Sequence, residues 1–495
     1  MRIRVCRFIT LPIVLSLLVL TGCSPRPDDA SSTAVNRIPS LFPDYTGLVI
    51  PLNIAPLNFL IQESGSRYFV RIKADNGQHI EIFSRSPSIR ISQKAWSRIL
   101  SVPGVITFDT YVFSDNVWRK FKSFTDTVVS ESVDPYVVYG KTDAGSIGMI
   151  KGIFQRCTET FDENPLITTD NVPSACMSYQ SFRRNNPEKM ALQLQCRTWG
   201  TPMLLSFADT SGLKSTSSAI SMKTACSSGK VGFSAWHPSQ DVIAFSTNKF
   251  GVVFHTASPE MYDVVDPSSD ILLYKVTTGT IVCNPDIASP ARIETMPEWS
   301  PDGSYLYYCS APNLLSAQHT FVTYDLMRIA YDVKTGTWGK PETVVTAQQA
   351  GGSITQPRFS PDGSKLLVTV SLYGDFPVYQ RKSNMYLLDV ASRAFTQLGF
   401  SGNCCDAWHC WSSNGRWISF GSNRMDGSFS RIYFSYVFPD GHNSKPFVLP
   451  QKNPRYYRKL VLTYNLPEQV TGPVLAKGRT MAEALDTIRQ AVDEK

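Results

Sequence analysis

A short turn motif recurs four times in the second half of the chain, and this repetition constrains the fold more than any other feature. Each copy opens with an aromatic residue, passes through a histidine or a serine into a turn, and ends in an apolar alternating run. The opening residues, at spacings of 63, 60 and 52 residues, are Trp236, Trp299, Phe359 and Trp411. We interpret this aromatic position as core that packs between sheets, and the nearby His237 as structural.

Each copy of the motif predicts a β-hairpin. Two copies read Ser-Pro-Asp-Gly, at Ser300–Gly303 and Ser360–Gly363. Proline fixes φ at the second position of a type I turn, aspartate favours the next position, and glycine accepts the left-handed conformation that follows. The β-branched and aromatic residues on either side favour strands.

A hairpin repeated at such a period indicates a β-propeller with one four-stranded blade per repeat. The four copies also resemble the repeats of TolB-type, WD40-like β-propellers, which occur in the propellers of prolyl oligopeptidase-like enzymes too. This resemblance covers about residues 230–450 and speaks to the fold, because propellers host binding, scaffolding and catalysis. We therefore predict an all-β protein with a six-bladed propeller over residues 134–452, the motif being blurred in residues 134–229.

The first 22 residues predict a lipoprotein signal peptide. Arg2, Arg4 and Arg7 precede an apolar stretch, Phe8–Leu20, that is too short to span a bilayer comfortably. The Leu-Thr-Gly-Cys sequence that ends at Cys23 resembles a bacterial lipobox. In lipoproteins of that kind the cysteine becomes the new N-terminus and carries acyl chains such as palmitate. The alternatives are an ordinary signal peptide or a short membrane anchor.

Such an anchor predicts a protein attached to the membrane by lipid, in the outer membrane or the periplasm. Two acidic residues soon after the lipobox, Asp28 and Asp29, are a weak indication of export to the cell surface. Residues 23–43 are rich in serine, proline and aspartate and predict a tether.

Two further segments flank the predicted propeller. Residues 44–133 alternate like a small β-sandwich, which could be a carbohydrate-binding module or a structural cap. Residues 453–495 predict a tail whose amphipathic helix, Met481–Val492, opens with a capping box formed by Thr480 and Glu483. The apolar face of this helix is expected to dock on the body, and a partner-binding role is the alternative.

A second resemblance lies in residues 175–190. This stretch is similar to one in envelope lipoproteins with the same propeller, whose relatives carry Cys-x-x-Cys-His, the attachment motif of c-type haem. The chain keeps Cys176 but has Tyr179 and Gln180 where the second cysteine and the histidine would stand. One thioether site without the histidine ligand does not make an ordinary c-type haem site. The resemblance therefore implies the family without its haem, and we predict no cofactor.

A cluster of cysteines and a histidine is the other candidate for chemistry. Cys404, Cys405, His409 and Cys410 could bind a metal ion, but their spacing matches no familiar zinc motif, so we predict no metal. A disulfide from one of these cysteines to a distant one is the favoured alternative. Lipidation of Cys23 would leave nine cysteines in the exported chain, so at least one would lack a partner within it.

Charge and missing motifs exclude several functions. The formal net charge of +7 falls by three when the signal peptide is removed. A charge this small does not indicate nucleic-acid binding. The chain has no Gly-x-Ser-x-Gly elbow, no His-Glu-x-x-His and no phosphate-binding glycine loop. The favoured function is a non-catalytic envelope protein that binds or scaffolds a protein or glycan partner. The alternative is a glycosidase-like enzyme, which paired carboxylates in the channel would support, whereas aromatics and amides would favour binding.

Overall fold

The structure is a computed structural model that describes residues 26–494 except 28, 144–149, 210, 211, 213, 256–261 and 315–321. The predicted signal peptide and its Cys23 lie outside the described residues. Within the described part of the chain, no helix combines the length and the apolar character needed to cross a membrane. The described residues are organised as an N-terminal region, a ring of β-sheets and a C-terminal tail that returns to the ring.

The N-terminal region contains ten strands and one helix, α1 (Gln93–Ile99). Its strands are β1 (Thr33–Val35), β2 (Leu41–Phe42), β3 (Val49–Pro51), β4 (Phe59–Ile61), β5 (Arg67–Ala74), β6 (His79–Ser84), β7 (Ser88–Ile89), β8 (Gly104–Ser114), β9 (Val117–Phe121) and β10 (Phe124–Val129). Strands β2, β4 and β7 form one sheet and the other seven strands form a second. Strands β1 and β2 lie in the segment that the sequence predicts as a tether, so that segment contributes to the folded region.

The rest of the chain forms the ring and its tail. Its strands are β11 (Tyr136–Asp143), β12 (Ile150–Cys157), β13 (Glu163–Thr168), β14 (Ala175–Arg183), β15 (Asn186–Cys196), β16 (Met203–Ala208), β17 (Ser215–Ser221), β18 (Ser234–Trp236), β19 (Val242–Ser246), β20 (Gly251–Phe254), β21 (Tyr262–Val265), β22 (Ile271–Lys275), β23 (Thr280–Cys283), β24 (Arg292–Trp299), β25 (Tyr305–Pro312), β26 (Asp325–Asp332), β27 (Thr337–Trp338), β28 (Glu342–Val345), β29 (Ser353–Phe359), β30 (Lys365–Ser371), β31 (Ser383–Asp389), β32 (Phe395–Gln397), β33 (Asp406–Trp411), β34 (Trp417–Ser422), β35 (Arg431–Tyr436), β36 (Phe447–Val448), β37 (Leu462–Val470), β38 (Arg489–Gln490) and β39 (Val492–Asp493). The helices are α2 (Ala347–Ala350), α3 (Tyr456–Lys459) and α4 (Gly478–Ala484), with 3-10 turns at Pro377–Tyr379 and Leu485–Thr487.

Six antiparallel sheets form the blades of a propeller, which confirms the predicted fold. From the innermost strand outwards they are blade 1 (β37-β11-β12-β13), blade 2 (β14-β15-β16-β17), blade 3 (β18-β19-β22-β23), blade 4 (β24-β25-β26-β28), blade 5 (β29-β30-β31-β32) and blade 6 (β33-β34-β35-β36). Each innermost strand contacts the innermost strand of the next blade, and β33 of blade 6 contacts β37 of blade 1. The ring is therefore closed.

Closure depends on a strand from the predicted tail. Strand β37 pairs antiparallel with β11, with Tyr136 opposite Val470. The predicted end of the propeller at residue 452 is therefore too early, because residues 462–470 supply the innermost strand of blade 1. The sequence did not predict strand β37, because Pro467 interrupts the alternation of apolar and polar residues that indicates a strand.

The predicted C-terminal helix is shorter than its sequence pattern. Helix α4 begins after Lys477, and Thr480 donates to the Lys477 carbonyl instead of forming the predicted capping box. Met481, Ala484 and Leu485 pack between blades 1 and 2. Beyond them the chain becomes extended, because β38 and β39 form backbone hydrogen bonds with the outer strands of blades 2 and 3.

The hydrophobic core is divided between the blade interfaces. Trp236 packs between blades 2 and 3, Trp299 between blades 3 and 4, and Phe359 between blades 4 and 5. The N-terminal region packs against blade 6 in the largest cluster, where the buried Trp417 indole donates to the Glu131 carbonyl at 2.7 Å. These clusters pack neighbouring blades against one another and blade 6 against the N-terminal region.

Candidate functional site

The hairpin turns interlock around one end of the channel. In blade 4 the Ser300 hydroxyl donates to Asp302 at 2.5 Å, and Gly303 has a φ of 76°. A Cβ atom on Gly303 would lie 2.5 Å from Nε2 of His237, so each turn sits directly against the preceding blade. His237 is 1 % exposed and accepts from the Gln240 amide at 3.1 Å, which agrees with the predicted structural role.

A four-residue frame repeats in the innermost strand of every blade. It begins with a bulge residue whose side chain lies at the channel centre, and it ends at the position of the motif aromatics. The bulge residues are Tyr179, Phe233, Met296, Gln356, Trp408 and Leu466. Five of the six have a positive φ, all but Phe233. Register shifts in the ladder accompany these five, as between Thr355 and Arg358 in blade 5, whereas Phe233 directly precedes β18, whose ladder has no such shift.

The bulge residues form a plug across the channel. Phe233, Met296, Trp408 and Leu466 belong to one buried apolar cluster. The Phe233 ring lies 4.2 Å from that of Tyr179 and 5.9 Å from that of Trp408, between ring centroids. These side chains lie between the cavities at the two ends of the channel, and a small cavity of about 40 Å³ remains among them.

One position of the frame lines the cavity on the side of the hairpin turns in all six blades. These six residues, which we call the channel ring, immediately precede the inter-blade position of the frame and are Ser181, Ala235, Glu298, Arg358, Cys410 and Glu468. The cavity has a volume of about 360 Å³, and Trp236, Trp299, Phe359 and Trp411 border it. A pocket of this volume with aromatic walls and a few convergent polar groups suits a small ligand or the end of a larger one.

An arginine bridges two carboxylates in the channel ring. Nη2 of Arg358 lies 2.6 Å from Oε1 of Glu468, and Nη1 lies 3.7 Å from Oε2 of Glu298. The side chains of Arg358, Glu468 and Glu298 are 26 %, 8 % and 16 % exposed, so all three are largely buried while they line the cavity. The Phe359 amide donates to Glu298 at 3.2 Å, which fixes the second carboxylate.

Burial dominates the electrostatics of this triad. Burial raises the pKa of Glu298 to about 7, although Arg358 opposes the shift. Burial likewise raises the pKa of Glu468, again against Arg358. Burial disfavours charge on Arg358, but Glu468 and Glu298 outweigh it and raise the pKa of the guanidinium. Near neutral pH the triad therefore offers both hydrogen-bond donors and acceptors to a ligand.

The residues of the degenerate haem motif contribute to the propeller core. Cys176 lies in β14, Tyr179 is a bulge residue, and Gln180 is 1 % exposed. The Gln180 amide nitrogen donates to the Leu466 carbonyl at 2.5 Å and so joins blade 2 to blade 1. The position at which a haem ligand would stand is thus used to link two innermost strands.

The cysteine and histidine cluster does not converge. Cys404 lies 3.5 Å from Asp406, Cys405 donates to the Pro377 carbonyl at 3.4 Å, and Cys410 is in the channel ring. His409 contacts Leu367 in blade 5, where its Nε2 is 3.2 Å from the carbonyl oxygen. His409 and Cys410 point to different neighbours because they are successive residues of β33, whereas Cys404 and Cys405 precede that strand.

The disulfide lies elsewhere than predicted. Cys226 and Cys283 are bonded, and they join the segment before blade 3 to the outer strand of that blade. The expected disulfide from the cluster at residues 404–410 is wrong, since Cys404, Cys405 and Cys410 are all thiols in the structure. Burial raises the pKa of Cys405 to about 12, which keeps that thiol protonated.

The sequence reading missed the triad, although a signal was present. In each motif the residue before the aromatic faces the channel, because alternate side chains of a strand point to opposite sides. Applied to the repeats, this rule selects Ala235, Glu298, Arg358 and Cys410. It cannot select Glu468, because β37 carries Gln469 in place of the aromatic.

Comparisons with known proteins add distant similarities. No family model and no curated protein sequence matches the chain. Among solved structures, an auxiliary nutrient binding protein from Bacteroides thetaiotaomicron is 13 % identical with a TM-score of 0.36, over 88 % of this chain and 96 % of that one. An oligogalacturonate lyase in complex with manganese is 12 % identical with a TM-score of 0.32, over 70 % and 86 %.

A luciferin-regenerating enzyme is 12 % identical with a TM-score of 0.39, over 64 % of this chain and 96 % of that one. Binding proteins and enzymes thus both occur among the similar structures. All three scores are below 0.5, so the assignment of a β-propeller rests on the six sheets and their closure.

Proposed function

We propose that the protein is a non-catalytic, lipid-anchored β-propeller of the bacterial cell envelope, of the TolB-like type, that binds a glycan through its channel ring. The observation that carries this proposal is the cavity of about 360 Å³ in which Arg358 bridges Glu298 and Glu468 between aromatic walls. A hydroxyl-rich sugar unit can donate to the carboxylates, accept from the guanidinium and pack against aromatic residues.

The bridging arginine is the reason to favour binding over catalysis. A glycosidase needs its two carboxylates on either side of the scissile bond, with the substrate between them. Here the guanidinium of Arg358 contacts both carboxylates and so occupies the space that a scissile bond would need.

Binding is tested with the purified protein and a panel of bacterial envelope oligosaccharides. Glu298→Gln removes a charged acceptor from the cavity, and we expect affinity for the bound sugar to fall by about tenfold. Glu342→Gln is the matched control, because Glu342 pairs with Arg328 on blade 4 and its side chain is 53 % exposed. If no oligosaccharide binds and crosslinking of intact cells captures one stoichiometric protein, the ligand is a protein and the glycan proposal is wrong.

A glycosidase-like activity is the second candidate, favoured by the two carboxylates on different blades. The raised pKa of Glu298, about 7, suits a general acid at neutral pH. Turnover of reporter glycosides that Glu298→Gln abolishes and Glu342→Gln preserves would establish this activity in place of simple binding.

A further inference from the structure

The opposite end of the channel holds a second, smaller cavity. Ile293, at the start of β24, lines it, whereas Glu298, near the end of the same strand, lines the channel-ring cavity. The two are therefore on opposite sides of the plug. The second cavity lies among blades 3, 4 and 5 and has a volume of about 30 Å³. That volume holds about two water-sized groups.

Three aspartates and an apolar wall line this cavity. Asp263, Asp266 and Asp375 are 4 %, 6 % and 1 % exposed. The apolar and aromatic part of the lining is formed by Val264, Ile293, Leu314, Val322, Tyr324 and Phe376. A cavity that combines buried acids with aliphatic and aromatic walls suits a cation on an apolar stem.

The three carboxylates differ in how they are satisfied. Asp266 accepts from the Lys249 amide at 2.8 Å and from the Asn248 side chain. Asp263 accepts from the Tyr373 hydroxyl at 3.0 Å and contacts His255 at 2.7 Å. Oδ2 of Asp375, by contrast, has no hydrogen-bond partner among the described residues. A buried carboxylate oxygen with no partner is costly, so it is the atom that a bound donor would satisfy.

A metal ion does not fit this arrangement. Among the described residues, the ligand atoms of Cys226, Cys283 and Asp493 lie within 4.8 Å of one another, and no such group includes two of the three cavity aspartates. The three carboxylates together therefore do not converge on one point, as three ligands of a single ion would. A single ammonium group needs only one carboxylate and an aromatic or apolar surround.

We propose that this cavity binds the head of a primary alkylammonium group: the nitrogen donates to Asp375 and the adjacent carbon lies along Val264 and Val322, while the rest of the stem extends out of the cavity. The group belongs to a lysine side chain of a partner protein or to a free amine. The site is separate from the channel ring, so this proposal can be right or wrong independently of the glycan proposal.

The ionisation of the aspartates supports the proposal. Burial raises the pKa of Asp375 well above its usual range, and the neighbouring Asp266 raises it further. Burial raises the pKa of Asp266 to about 7. The ligand-free cavity thus has too little positive charge to keep both acids ionised, and a bound ammonium would supply it.

The test uses the full-length protein in detergent, with n-butylammonium as the probe and n-butanol as its uncharged counterpart. We expect saturable binding of n-butylammonium by calorimetry and none of n-butanol. Asp375→Asn should weaken binding by about tenfold or more, because it removes the charged acceptor. Binding of both probes alike, or of neither, would overturn the proposal.

A matched control is available in the N-terminal region. Asp126 is also 1 % exposed with an unpartnered Oδ2 among the described residues, and burial raises its pKa to about 7. Asp126→Asn should therefore leave n-butylammonium binding unchanged, and an equal loss in both variants would refute the assignment to Asp375. If Asp375→Asn does not fold, Asp266→Asn replaces it, with a loss of binding expected there too.

Two competition experiments distinguish a lysine side chain from a free amine as the natural ligand. Nα-acetyl-lysinamide presents the ammonium on a peptide-like backbone. If it competes with n-butylammonium at least as well as free cadaverine does, the natural ligand is a lysine of a protein. If cadaverine alone competes, the natural ligand is a small amine.

Discussion

At the scale of single residues, the channel ring shows how one strand position acquires different chemistry in each blade. Glu298, Arg358 and Glu468 occupy equivalent positions in three blades, yet they form one bridged triad because the blades converge at the axis. The equivalent residues Ser181 and Ala235 are small and uncharged. Substitutions in the ring should therefore change the cavity without changing the blades.

Glu298 predicts a dependence of stability on pH. Its pKa in the folded protein is about 7, raised by burial above the ordinary value of 4.5. The folded state therefore binds this proton more tightly, so the associated stability is fully present below pH 4.5 and is lost as pH rises through about 7. In the wild type we expect the free energy of unfolding to fall by about 3 kcal/mol over this pH range because of Glu298, and we expect Glu298→Gln to abolish that fall.

The measurement is the free energy of unfolding in urea at mildly acidic and mildly basic pH. Relative to wild type, Glu298→Gln should gain stability on the basic side, and the control Glu342→Gln should not. A difference between Glu298→Gln and wild type that does not change with pH would contradict the raised pKa.

A substitution at Gly303 tests how much the contact between two neighbouring turns contributes to stability. Gly303→Ala places a Cβ atom 2.5 Å from His237, at a φ of 76°. Gly336→Ala is matched, because its φ is 72° but nothing lies within 4 Å of the added atom. We expect a loss of about 1 kcal/mol for Gly336→Ala and about 2–3 kcal/mol for Gly303→Ala in urea unfolding. Equal losses would mean that the contact with His237 adjusts freely.

At the scale of the element, local chemistry predicted the hairpins, but the sequence pattern did not reveal how the ring closes. The turn at Ser300–Gly303 could be predicted because its proline, aspartate and glycine each meet a local requirement. Strand β37 could not, because Leu466 has a positive φ and Pro467 follows it, so the strand has no regular alternation. Its identity as a strand comes from pairing with β11, which is far away in the sequence.

The C-terminal helix predicted from the sequence is too long for a related reason. Its apolar spacing suits a helix as far as Leu485, which packs between blades 1 and 2. Beyond that point the open edges of β17 and β23 compete for the same backbone donors and acceptors. A sequence pattern does not report such edges, so helical periodicity alone predicted the wrong structure for residues 489–493.

Stepwise truncation distinguishes the roles of these terminal elements. Ending the chain after Thr487 removes β38 and β39 and their backbone bonds to blades 2 and 3, such as that from Ala491 to the Ser221 carbonyl at 3.0 Å. We expect a folded protein that is about 3 kcal/mol less stable. Ending it after Lys459 also removes β37, and we expect no cooperative unfolding transition in circular dichroism, since blade 1 then lacks its innermost strand.

A cooperative transition after the longer truncation, comparable to that of the shorter one, would show that the ring folds without closure. Exposed apolar surface, measured by dye binding, should rise only in the longer truncation.

At the scale of the whole molecule, the plug separates two ends with different chemistry. One end has the bridged triad and a cavity of about 360 Å³, and the other has the three aspartates and a cavity of about 30 Å³. The rings of Phe233 and Trp408 lie between these two ends, 5.9 Å apart between centroids. Ligands at the two ends should therefore bind without competing.

The proposed anchor is tested on the whole protein. Cys23→Ser should abolish incorporation of a palmitate analogue and shift the protein from the membrane fraction to the soluble fraction, because acylation supplies the stable attachment. Cys176→Ser is the control, since Cys176 lies in the propeller, and it should leave labelling unchanged. Labelling that persists in Cys23→Ser would contradict the lipobox assignment.

The pairing of β11 with β37 also determines when the ring can close during synthesis of the chain. The Asp134 amide and the Gln469 side chain, which meet at this closure, are separated by 335 residues. At about 5–20 residues per second, a ribosome needs roughly 20 s to 1 min to make the intervening blades. Throughout that interval the edge of β11 has no partner and can pair with another nascent chain. We infer that a factor protecting this edge, or delayed folding of blade 1, decides how much of the newly made protein reaches its native state.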